Sequence, residues 1–166
     1  MAGRYRLRRE KIASHHRDAE RQEVRTREDW PVAGSIDELL AGATSREPFA
    51  HSDGKSGVPM DRVVIDGERF VVKHVSIDND WIMRATGDLG CRPLLVWRFG
   101  LLARLPPTID HGFAGFAPEG RGAAILMRDV SPWLVAEGDE PISTEQHSRF
   151  LDHMAQLHAR FGTGRT

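Results

Sequence analysis

The chain has 166 residues, enough for one hydrophobic core and too few for two sizeable ones. Its 23 Lys and Arg stand against 24 Asp and Glu, so no global charge draws it to nucleic acid or to an anionic membrane, and neither is expected as a partner. The single cysteine, Cys91, excludes an internal disulfide, no apolar run reaches the roughly 18 residues of a membrane span, and no export signal opens the chain, so a cytoplasmic location is expected.

Residues 1–30 are dense in charge and poor in residues to bury. Arg4, Arg6, Arg8, Arg9 and Lys11 are neutralised by Asp18, Glu20, Glu23, Glu28 and Asp29, so the segment reads as a solvated helix or flexible arm rather than a nucleic-acid-binding one. Ser35-Ile36-Asp37-Glu38 has capping-box spacing and predicts a short helix through Leu40, ended by Gly42. A first strand is expected over Arg46 to His51, with Pro48 inside it.

The glycine-bearing loop Ser52-Asp53-Gly54-Lys55-Ser56-Gly57 follows. It is not a Walker motif, because Phe49 stands where the first glycine is required and a strand rather than a helix comes next. Two readings remain for it: a turn with Lys55 in solvent, or a loop whose backbone N–H groups cover a ligand's phosphates. Val63-Val64-Ile65, the Asp66-Gly67 turn and Phe70-Val71-Val72 then form a β-hairpin. Its second strand ends at Lys73. A strand-end lysine is commonly a solvated edge residue; here strand alternation sets Lys73 beside Val71, and a partly buried ammonium requires an anionic partner, a carboxylate or a phosphate.

A helical turn or two is expected within Asp78 to Asp88, and a longer helix from Pro93, with Leu94, Leu95, Leu101, Leu102 and Leu105 at helical spacing up to Pro106-Pro107. Ile109 to Ala117 and Ala123 to Asp129 read as two more antiparallel strands around a Gly-rich turn. Ser143 to Phe161 is the clearest helix, with Ser143 and Gln146 at capping-box positions and Gly162 beyond its end. Its histidines, His147, His153 and His158, lack the spacing of a zinc helix, and no protein metal site is expected.

Phe70-Val71-Val72-Lys73 resembles the third strand of the aminoglycoside phosphotransferase-like branch of the protein-kinase-like superfamily; Ile125 to Val130 resembles its hinge strand, and Leu151 to Ala159 the helix after the hinge. The resemblance covers roughly Phe49 to Phe161. It implies an α+β fold: an antiparallel sheet of about five strands with one or two packing helices, the N-terminal nucleotide lobe, followed by a C-terminal helix. The expected organisation is a charged arm over 1–30, the nucleotide lobe over 31–132, and over 133–166 a linker and helix that start a catalytic lobe. The resemblance further implies ATP with Mg²⁺ as ligand, Lys73 on the α- and β-phosphates, Gly54, Lys55, Ser56 and Gly57 as the covering loop, and Met127, Arg128, Asp129 and Val130 along the adenine edge. A plain strand end is an equally consistent reading of those last residues.

The chain departs from the family pattern in two ways. No glutamate stands near Arg98-Phe99 to pair with the lysine, leaving Asp78, Asp80 or Asp88 as substitutes. No His-Gly-Asp catalytic loop, following asparagine or metal-binding aspartate is found, and neither Ile109-Asp110-His111-Gly112 nor Leu151-Asp152-His153 replaces it. The expected function is therefore that of an ATP-dependent small-molecule phosphotransferase represented by its nucleotide-binding lobe and inactive alone, with a non-catalytic kinase-like binding or regulatory module as the alternative. Expected partners are a nucleotide and either a catalytic-lobe chain or a second copy meeting the 143–161 helix.

Overall fold

A computed structural model describes residues 32–49, 56–134 and 141–162. The 1–30 arm, Gly54 and Lys55 lie outside these residues. The fold is α+β: a five-stranded antiparallel sheet in the order β1 (Ala43–Phe49), β2 (Met60–Ile65), β3 (Glu68–Ser76), β5 (Gly122–Arg128), β4 (Phe113–Glu119). The β2–β3 hairpin turns on Asp66 and Gly67 with φ of 52° and 80°, the paired left-handed geometry that an Asp-Gly turn favours. Pro48 lies within β1, which pairs only with β2, so its missing N–H falls on an edge strand where no ladder needs it. β5 runs so close to β3 that a Cβ on Gly122 would collide with the Val75 carbonyl, which is why the β4–β5 hairpin re-enters the sheet on a glycine.

Helices cover both faces of the sheet. On one face α1 (Ile36–Leu39), capped by Ser35, seats Leu39 and Leu40 on Val63, Ile65, Phe70, Val72 and Leu126. The Ser35 hydroxyl accepts from the Glu38 amide at 3.2 Å, as the spacing predicts, while Glu38 reaches back one residue further, to the Gly34 amide at 2.7 Å. On the other face α2 (Trp81–Thr86) and α3 (Arg92–Arg98) pack Met83, Leu94 and Trp97 over Val75, Phe116 and Ile125. The Trp97 and Phe116 rings lie 5.0 Å apart and both are fully buried.

Two expected boundaries are corrected. The helix read through Leu105 stops at Arg98: Gly100, at φ 64°, takes the left-handed conformation that ends helices, and Leu101–Arg104 continue as a 3₁₀ turn. The apolar spacing is genuine but is shared between two elements. The strand expected from Ile109 begins at Phe113, because Ile109 closes a turn onto the Pro106 carbonyl and Asp110 is drawn to Arg128. It extends instead to Glu119, with Pro118 tolerated because β4 is the other edge. The last helix, α4 (Thr144–Phe161), has the predicted Ser143 and Gln146 capping box, and none of its residues is buried.

Candidate functional site

β3 carries Lys73 into a cleft of about 760 Å³ between the sheet and the α2–α3 side of the molecule. Val75, Ile125, Met127 and Phe113 form its apolar floor, Ser56, Gly57 and Val58 lie along one edge, and Asp80, Met83, Asp88 and Arg92 form the opposite wall. Its size is that of a small-molecule or cofactor site, mostly apolar with few polar groups. Lys73 is half-buried, opposite Met60 on β2 and Ile125 on β5. Strand alternation sets Lys73 on the face of β3 that carries Val75, and both line the cleft.

None of the three aspartates proposed as partners for Lys73 takes that role. Asp78 pairs with Arg121 at 2.8 Å. Asp80, 6% exposed, caps α2 by accepting from the amides of Ile82 and Met83 at 2.8 and 3.2 Å. Asp88 accepts the Arg92 amide on both carboxylate oxygens, at 3.0 and 2.9 Å. A lysine without a paired carboxylate among the described residues, in a cleft where the nearby carboxylates hold helix amides, is a cation able to meet an incoming anion.

The predicted loop and adenine-edge residues separate. Ser56, Gly57 and Met127 line the cleft with Lys73; Arg128, Asp129 and Val130 do not. Arg128 lies on the α1 face, pairs with Asp110 and donates to the His111 carbonyl at 2.7 Å. Asp129 accepts from the Ser131 amide at 3.0 Å and faces Arg69 at 3.8 Å. The Ser131 hydroxyl bond, with Arg69 assisting, holds the Asp129 carboxyl below the usual carboxylate range. The amides of Arg128 and Asp129 are also engaged, with Gly112 O at 2.8 Å and Arg69 O at 3.2 Å, so they do not present donors to a bound base.

Sequence reasoning missed two features. Arg92, the cleft's second cation, is brought opposite the sheet by the α2–α3 turn and donates to the Thr86 carbonyl at 3.2 Å; nothing in its local spacing signals this. On the opposite face of β3, His74 sits with Nδ1 2.8 Å from Glu119 and Nε2 3.1 Å from Asp61, which also receives Arg46 Nε at 2.6 Å. Burial alone would raise the Asp61 carboxyl, but the bonds from Arg46 and His74 outweigh it and hold it below its usual range. Cys91 lines the cleft as a buried thiol, which burial pushes up from its ordinary value.

Among the described residues no group of three or more His, Cys, Asp or Glu side chains is placed to hold a metal ion, and no helix is long and apolar enough to cross a membrane. Comparison with protein-family models, curated proteins and solved structures returned no match to this chain.

Proposed function

We propose that the chain is a nucleotide-binding lobe resembling that of the aminoglycoside phosphotransferases, taking the phosphates of ATP on Lys73 beside the Ser56-Gly57 turn and the base against Phe113, Ile125 and Met127. The observation that carries this reading is the half-buried Lys73 ammonium, unpaired with any described carboxylate, in an apolar-floored cleft of cofactor size. The base would be held by apolar contact, since the Arg128 and Asp129 amides are engaged by the Gly112 and Arg69 carbonyls. Arg92 adds a second positive charge to the wall.

Binding rather than phosphoryl transfer is the activity proposed for these residues. Transfer requires carboxylates to position the acceptor and hold Mg²⁺, and of the described carboxylates of the cleft Asp80 caps α2 while Asp88 accepts the backbone amide of Arg92. The donor set therefore does not fit a protein-held Mg²⁺. The same observation favours the second reading, a non-catalytic binding module.

The test is a calorimetric titration with ATP, ADP, adenosine and inorganic triphosphate. Affinity falling from ATP to ADP to adenosine, and lost in Lys73→Met with the fold intact, is the expected result. Equal affinity for ATP and adenosine, or no binding of any of the four, would overturn the reading.

A further inference from the structure

The cleft wall opposite the sheet is closed by one residue at two points. Arg92 gives its backbone amide to both oxygens of Asp88, at 3.0 and 2.9 Å, and its guanidinium donates to the Thr86 carbonyl at 3.2 Å. The turn from Thr86 to Arg92, with Gly87 and Cys91 both left-handed, is thereby stapled, and Arg92 is held at the cleft surface with its side chain exposed. A guanidinium presents five N–H donors in a planar fork. The Thr86 carbonyl takes one of them, and no described carboxylate forms an ion pair with Arg92.

We propose that Arg92 reads the terminal phosphate of the bound nucleotide: Lys73 supplies affinity for the phosphate chain, and Arg92 supplies the preference for a triphosphate over a diphosphate. The inference rests on the nucleotide reading of the cleft and adds a selectivity to it. Among the described residues that line the cleft, Lys73 and Arg92 are the cations, and they come from opposite walls. With the base on Phe113, Ile125 and Met127, the nearer phosphates lie over Lys73, the strand neighbour of Ile125. The end of the chain then crosses toward the α2–α3 turn.

The carboxylates of that wall narrow where the end can settle. Asp80 accepts from the amides of Ile82 and Met83, and Asp88 from that of Arg92; both repel a phosphate. The guanidinium is the group on this wall that a phosphate gains from meeting, and its fork matches phosphate geometry. Because Arg92 is exposed, solvent screens the pair, and the expected gain is about tenfold in affinity, the low end for a charge-assisted bond.

The test is a calorimetric titration of the full chain with ATP, ADP, inorganic triphosphate and pyrophosphate in magnesium-free buffer. It compares wild type with Arg92→Ala and with Arg92→Gln, which keeps a donor for the Thr86 carbonyl and removes the charge. Wild type should bind ATP about tenfold tighter than ADP, and triphosphate about tenfold tighter than pyrophosphate. In both variants the ATP-to-ADP ratio should fall to within about twofold, the remainder being the screened attraction of Lys73 for the added charge. ADP affinity should stay near that of wild type, because the diphosphate ends short of Arg92. That ratio separates recognition from a structural role: an arginine that only staples the turn would, when lost, weaken ATP and ADP alike. A parallel loss of both nucleotides, or a ratio unchanged in both variants, overturns the assignment of Arg92 and leaves nucleotide binding at Lys73 standing. Absence of ATP binding by wild type overturns the nucleotide reading itself, and this inference with it.

Discussion

Lys73 and His74 are adjacent on β3 and point to opposite faces of the sheet, and their surroundings differ in one decisive respect. His74 has both ring nitrogens within 3.1 Å of carboxylates, with Arg46 closing the network through Asp61. Lys73 is likewise only partly exposed, yet no described carboxylate pairs with it and a 760 Å³ cleft opens before it. A polar group with its partners inside the fold contributes to stability; one whose partner must come from outside is available for binding. The two residues should therefore separate, one affecting stability and the other affecting binding.

Unseating α3 from the sheet should have the largest effect. Trp97→Ala removes the indole that joins α3 to Phe116 and should destabilise the fold by about 3–5 kcal/mol, measured by chemical denaturation; a loss below about 1 kcal/mol would mean that α3 does not depend on that contact. Next is His74→Leu, which keeps volume but leaves Glu119 without its described partner and Asp61 with Arg46 alone. It should cost about 1–3 kcal/mol and leave nucleotide affinity unchanged.

Much of the sheet was legible because its signals are local. Asp66-Gly67 dictates a hairpin by its φ preferences alone, and Ser143 with Gln146 marks the start of α4. The longer helix was overread because Leu101 and Leu102 continue the apolar spacing of Leu94 and Leu95 across Gly100, and periodicity does not register a left-handed break. The site was legible in part. Lys73 and Met127 face the cleft because strand alternation puts them there, whereas Arg128 alternates to the far face. Asp61, His74 and Glu119 come from three strands, so no sequence spacing joins them, and Arg92 enters the cleft only through the α2–α3 turn.

A smaller effect is expected from Asp80→Ala. It removes the α2 cap and should cost about 1 kcal/mol, seen as a lowered Tm together with faster amide exchange at Ile82 and Met83. An unchanged Tm would show that packing of Met83 suffices to hold α2.

Acid should weaken the His74 face through Asp61. Its carboxyl titrates lower in the folded chain than in the unfolded one, so its contribution is complete above the ordinary carboxylate value of about 3.9 and is lost as pH falls through the lower folded value. Asp61→Asn should flatten the fall of Tm between about pH 5 and pH 2. A Tm profile parallel to wild type would remove Asp61 from the acid response.

The smallest change in stability is expected from Lys73→Met, within about 0.5 kcal/mol, because the thioether replaces the lysine stem among apolar neighbours. The most direct measurement pairs Lys73→Met with His74→Leu, each titrated with ATP and each unfolded by denaturant. The account predicts a double dissociation: Lys73→Met stable and unable to bind, His74→Leu weakened but binding ATP as wild type does while folded. Unimpaired ATP binding by Lys73→Met, or a stability loss equal to that of His74→Leu, would contradict it.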